Sequence, residues 1–282
     1  MEEQFRPRGF TLLPIVVKNL LIINGLFFFA QLAVRKMTGV SLEDHLGLHY
    51  FAAQDFRPWQ FITYMFLHGD LGHLFFNMLA LWMFGYALEN IWGPRRFLVY
   101  FFVTGIGAAL VHYLVVFIEI NPTIQVLNGL IDSPTSAGML NFISQHQATM
   151  GEAINDQTTL SQVNQAIQAI GINPDDRQAL AVMSNFMVDF KEFFLNQPNV
   201  IGASGAVFGI LLAFGMLFPN TLIFIYFLFP IKAKYFVILY GAMELFYGIS
   251  GAASNIAHFA HLGGMIFGFF LIRYWKTQGR LY

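Results

Sequence analysis

The chain has no cysteine, which excludes disulfides, thiolate metal sites and a cysteine nucleophile together. It is also poor in charge: 11% of its 282 residues are Asp, Glu, Lys or Arg. A soluble domain carries roughly a quarter. The net charge of -1 lacks the basic excess of a nucleic-acid binder. An H-E-x-x-H zinc helix is absent, and no two aspartates fall inside apolar runs, so neither a zinc protease nor an aspartyl dyad is indicated. No cofactor or metal is expected. What abounds is apolar bulk: 56% hydrophobic residues, 33 of the chain's residues being phenylalanine.

A bilayer core of about 30 Å needs about 20 apolar helical residues. Six segments approach that length: 14–34, 71–93, 97–120, 201–218, 235–249 and 257–275, the fifth being short and carrying Glu244. The apolar start of the chain begins acidic and has no small-residue cleavage site after it, so it reads as a retained first span and not a signal peptide. The run 221–231 is too short to cross and ends at Pro230 and two lysines, as an interfacial or re-entrant piece would.

Lysine and arginine set the orientation. With six spans, one side carries Arg6, Arg8, Lys18, Arg95, Arg96, Lys232, Lys234, Arg273, Lys276 and Arg280. The other carries Arg35, Lys36, Arg57, Arg177 and Lys191. The bias places both termini in the cytoplasm. With no leader ahead of the first span, a multi-pass protein of a bacterial-type cytoplasmic membrane is expected.

Residues 121–198 break the apolar pattern, with seven acidic and two basic residues. The expected organisation is therefore 1–120 with helices 1–3, 121–198 as a helical extracytoplasmic insertion, and 199–282 with helices 4–6. Within the insertion, Asn173-Pro174-Asp175-Asp176 predicts a helix start capped by Asn173. Leu180, Met183, Met187, Phe190 and Phe194 then follow as an apolar stripe. Leu160, Val163, Ile167 and Ile170 predict another helix, closed by Gly171.

Polar groups inside a bilayer are costly, so each one there is a functional candidate. His73 and Asn77 lie four apart on one face of the second span, and Gly85, Glu89 and Gly93 continue at steps of four. Ser204 opens the fourth span, where unbonded backbone N–H groups favour developing negative charge. Gly205 and Gly209 make a small-residue seam after it. In the sixth span His261 shares a face with Gly264 and Gly268, and His258 lies one turn earlier. A histidine on a glycine seam can reach a serine on a close-packed neighbour, the arrangement a Ser–His pair needs, with His258 the competing base. On the six-span topology Ser204, His261, His73 and Asn77 fall at one depth, near the outer ends of their spans.

These residues resemble the rhomboid family of intramembrane serine proteases. The resemblance rests on His73-xxx-Asn77, on Gly202-x-Ser204-Gly205 and on Ala260-His261-xx-Gly264-xxx-Gly268, in that order along the chain. It implies an all-α bundle of six transmembrane helices with a partly embedded first loop at 35–70, and Ser204 as nucleophile and His261 as base, without an aspartate. It also implies an oxyanion hole of His73, Asn77 and the Ser204 N–H, an aromatic Phe208 packed on the base, and Glu89 as a structural residue. The partners implied are the lipid bilayer and transmembrane protein substrates, cut near their extracytoplasmic ends. Two features depart from the family pattern: Gln60 follows Trp59 where an arginine is usual, and the 121–198 insertion is long. The insertion's place just before Ser204 suits a lid, a substrate-docking surface or a cap that merely packs on loops. The rival function is an inactive rhomboid-like binder of membrane proteins, against which the retention of both Ser204 and His261 counts. A transporter would need a polar path into the cytoplasmic half, where only Glu89 and Glu244 are found.

Overall fold

The structure, a computed structural model, describes residues 10–225, 228–250 and 255–279. Arg6, Arg8 and Arg280 lie outside the described residues. The longer helices are α1 (Ile15–Thr38), α2 (Leu71–Trp92), α3 (Pro94–Asp132), α4 (Ser136–Ala153), α5 (Gln157–Ile172), α6 (Arg177–Asn196), α7 (Ser204–Leu217), α8 (Ala233–Ser250) and α9 (Asn255–Thr277). A helix lies within every segment expected to span, the fourth starting at Ser204 and not at 201. Three of these helices, α1, α2 and α3, are by themselves long and apolar enough to cross a membrane, and α7 is a shorter apolar helix. α3 runs 39 residues, through Pro122, well past the expected end at 120.

The run after α7 is not a simple apolar segment. Leu222–Ile225 (β1) pairs antiparallel with Phe229–Lys232 (β2), with Ile223 opposite Ile231 and Phe224 opposite Pro230.

The chain divides into two compact units. The first comprises Met1–Leu48, Arg57–Val115 and Asn199–Tyr282. Its centre is α7, in which every residue from Gly205 to Leu211, and Ala213 to Gly215, is buried. A helix apolar on all sides belongs in a core. α9, α2 and α8 pack on α7, and α1 packs on α2. Glycines let α7 and α9 touch backbone to backbone: a Cβ on Gly264 would stand 1.9 Å from the Gly205 carbonyl oxygen. Large apolar side chains such as Leu26, Phe29, Phe76, Leu114, Phe246 and Phe270 remain exposed, as lipid-facing residues do.

Polar residues inside this unit tie helix ends and loops. α1 starts after Pro14 with no side-chain cap of its own. Glu89 of α2 supplies the missing acceptors: its carboxylate takes the N–H of Val16 at 2.9 Å and of Val17 at 2.8 Å. α2 is capped by Asp70, which accepts from the His73 N–H at 2.8 Å, and is ended by Gly93 at φ 77°. Gln31 of α1 donates to the Glu43 carboxylate at 2.6 Å and to the His68 carbonyl at 3.2 Å, and accepts from the His68 N–H at 3.1 Å. In the first loop, Trp59 is 55% exposed whereas Gln60 is fully buried, donating to the His45 carbonyl at 3.2 Å and accepting from the Arg57 N–H at 3.0 Å. The residue that replaces the usual arginine thus anchors the loop to its own backbone.

The second unit comprises His49–Phe56 and Val116–Pro198 and has a core of its own. Leu127, Phe142, Val163, Ile170, Met183 and Phe190 are among its buried residues, so the stripes expected on α5 and α6 face a core except at Leu160, which is 38% exposed. Two terminal assignments are corrected. α6 starts at Arg177 and its cap is Asp176, whose Oδ1 accepts from the N–H groups of Gln178 and Ala179, each at 3.0 Å. Asn173 instead ends α5 and accepts from the Asp175 N–H at 3.3 Å. α5 continues to Ile172, so Gly171 lies within it and does not close it.

Candidate active site

α7 begins at Ser204, after Ala203, and no side chain caps that N-terminus. The first-turn N–H groups therefore face the space around the Ser204 side chain with the positive end of the helix dipole behind them. The chain reaches this point through Gly202 at φ 125°, a conformation that side chains rarely adopt, and the Gly202 N–H donates to the Tyr64 carbonyl at 2.8 Å. A side chain there has no room either: a Cβ would lie 2.9 Å from His73 Nε2 and 3.7 Å from Ser204 Oγ. Gly202 lets His73 and Ser204 approach one another across a bare backbone.

The close packing of α9 on α7 presents His261 to Ser204. Ser204 Oγ and His261 Nε2 share a hydrogen bond of 2.8 Å. The phenyl ring of Phe208, one turn along α7, stacks on the imidazole with 4.3 Å between centroids and 3° between planes. His258 does not take that place: its Nδ1 lies 2.7 Å from Glu244 Oε2 on α8. His261 Nδ1 meets the same oxygen at 2.9 Å.

Of the four residues singled out in the sequence, three converge at the start of α7. His73 accepts the Gly69 N–H on Nδ1 at 3.4 Å, which leaves Nε2 as the hydrogen-bearing nitrogen on the Gly202 side. Asn77 is buried and its amide donates to the His73 carbonyl one turn back at 3.0 Å; no hydrogen bond joins it to Ser204. His68, in the loop before α2, packs edge-on to His73 with 5.0 Å between ring centroids. Burial, with His73 beside it, holds the His68 imidazole down to about 4.

Glu244 is a residue of this site that the sequence alone does not assign to it. The signal was present, an acidic group within an apolar helix, but its partners depend on how α8 and α9 face each other. Glu244, His258 and His261 offer donor atoms within 4.8 Å of one another, the spacing of a group that could receive a cation.

The chain matches the family model described as the Rhomboid domain over residues 55–120 and 178–276, more than half its length. It is 34% identical over 125 residues to the Inactive RHOMBOID-like protein 8 of Arabidopsis thaliana, covering 42% of this chain and 35% of that one. Rhomboid protease GluP of Bacillus subtilis is 38% identical over 56 residues, 20% of this chain and 11% of the protease. An uncharacterized mitochondrial rhomboid protein of Schizosaccharomyces pombe is 24% identical over 244 residues, 83% of this chain and 56% of the relative. The chain thus spans between about a tenth and just over half of the length of these relatives. No solved structure matches it.

Proposed function

This chain belongs to the rhomboid family, and we propose that it is a serine endopeptidase that cuts transmembrane segments of other membrane proteins near their extracytoplasmic ends. The observation that carries the reading is the 2.8 Å hydrogen bond from Ser204 Oγ to His261 Nε2 at an uncapped helix start. The proposed topology has six spans, α1, α2, α3, α7, α8 and α9, with both termini in the cytoplasm. Residues 121–198 form an extracytoplasmic insertion between the third and fourth, all within one rhomboid domain.

In the proposed reaction a substrate helix enters from the lipid and unwinds, because a helical peptide bond is shielded by its own hydrogen bonds. Ser204 Oγ bonds to the carbonyl carbon as its proton passes to His261 Nε2, and the carbonyl electron pair moves onto oxygen. The Ser204 N–H, His73 Nε2–H and the Asn77 amide hydrogen not used on the His73 carbonyl are the oxyanion donors. Each such donor is worth about 3–4 kcal/mol in the transition state. His261 returns the proton to the leaving amine, and water hydrolyses the acyl-enzyme by the same steps.

The second reading, a rhomboid-like binder without proteolysis, is favoured by one observation, the inactive name of the Arabidopsis relative. The Ser204–His261 hydrogen bond favours the protease. Reconstitution with a panel of single-span substrates separates them. The protease reading expects cleavage products with wild type and none with Ser204→Ala or His261→Ala. Equal product with Ser204→Ala, or stable substrate capture without any cleavage by wild type, would overturn it.

A further inference from the structure

A Ser–His pair needs only one partner for its imidazole, and His261 has two. Its Nδ1 lies 2.9 Å from Glu244 Oε2, opposite the Nε2 that receives the Ser204 hydroxyl. The same carboxylate oxygen is 2.7 Å from His258 Nδ1, one turn earlier on α9. Glu244 is only 7% exposed, in an apolar helix, where a carboxylate is costly unless paired.

The arrangement has a chemical consequence. A carboxylate only accepts, so each Nδ1 that it contacts carries the hydrogen. With Nδ1 protonated, His261 Nε2 keeps its lone pair and can take the Ser204 proton. The opposite tautomer would turn an N–H toward the serine oxygen and could not act as a base. Phe208 fixes the plane of the ring and Glu244 fixes its rotation within that plane. When His261 becomes an imidazolium, the adjacent carboxylate stabilises it without taking the Nδ1 proton.

A cation is the other use for such a cluster, but the distances favour hydrogen bonding. Ligands of a tetrahedral zinc site, at about 2.0 Å from the metal, lie about 3.3 Å apart. The two separations here, 2.7 and 2.9 Å, are those of hydrogen bonds.

We infer that Glu244 is a positioning residue, the acidic third member of a Ser204–His261–Glu244 chain, and that His258 holds its carboxylate in place. This rests on the protease reading above and goes beyond the two-residue mechanism that the family resemblance implies.

Two measurements test it. In Glu244→Gln the amide turns an N–H toward Nδ1 and favours the wrong tautomer. The expected result is a kcat lowered by at least about tenfold at unchanged KM, with part of the loss recovered in Glu244→Asp. A folded Glu244→Gln protein with wild-type kcat overturns the inference. The second measurement reads the tautomer in the wild type itself: 15N spectra of the histidine-labelled protein, with the His261 signal assigned by its loss in His261→Asn. Hydrogen on Nδ1 and a pyridine-type Nε2 are expected; hydrogen on Nε2 overturns the inference. If wild type cuts no substrate, the protease reading falls, and the spectra still decide whether Glu244 holds the tautomer.

Discussion

Phe208 lies flat against His261, 3° from parallel, so one turn of α7 carries both the serine and the surface on which its histidine rests. This contact links packing directly to chemistry. A stacked aromatic pair is worth about 0.5–1.5 kcal/mol beyond burial. Phe208→Ala, which frees the imidazole to tilt, is therefore expected to lower kcat about two- to tenfold. Phe208→Tyr, which keeps the ring, should retain most of the rate. Steady-state cleavage of a transmembrane reporter checks both.

Glu89 acts on a helix to which it does not belong. Its carboxylate closes two N–H groups at the start of α1, which has no cap of its own. Glu89→Ala should cost about 2 kcal/mol or more of stability. The rate per folded molecule should be unchanged. Thermal unfolding in detergent, with activity normalised to folded protein, measures the two effects apart.

Glycine content in membrane helices is often read as mere small-residue packing, but here individual glycines differ sharply. At Gly264 an added Cβ would sit 1.9 Å from backbone, whereas at Gly25 nothing lies within 4 Å. Gly264→Ala must push α9 off α7, at a cost of about 1–3 kcal/mol and with the Ser204–His261 distance lengthened. Gly25→Ala should be neutral or stabilising by about 0.5–1 kcal/mol. Paired melting curves, together with cleavage rates, distinguish them.

His68 makes the first unit acid-sensitive. The buried ring is held down to about 4, against an ordinary value of 6.5. Unfolded chains bind a proton there below 6.5 that the folded protein resists until about 4. Stability is unaffected by this residue above 6.5 and falls as the pH drops toward 4. His68→Gln, which keeps the backbone bonds to Gln31, should flatten that part of the stability-against-pH curve. A slope equal to wild type between pH 6.5 and 4 would contradict the assignment.

Much of this architecture is legible from residue spacing because membrane helices must satisfy their backbone internally. The glycine steps Gly264 and Gly268 already put His261 on a close-packing face, where α9 meets α7 at Gly264 and Tyr100 and Thr104 of α3 at Gly268. The stripe through Met183, Met187 and Phe190 likewise reports a helix with one buried side. What the spacing could not carry was pairing between elements. The β1–β2 pairing is hidden because the apolar residues of these strands alternate too little to separate a strand from a short helical run. Asp176 and Asn173 are both good caps, and only the backbone path chooses between them. Glu244 was visible as an anomaly, yet its role depends on the rotation of α8 against α9.

The most direct test of the central claim is covalent labelling of the purified protein with a fluorophosphonate serine probe, the adduct being located by mass spectrometry. A single adduct on Ser204 is expected in wild type, absent in Ser204→Ala and strongly reduced in His261→Ala. An adduct on another residue, or equal labelling of Ser204 in His261→Ala, would contradict it.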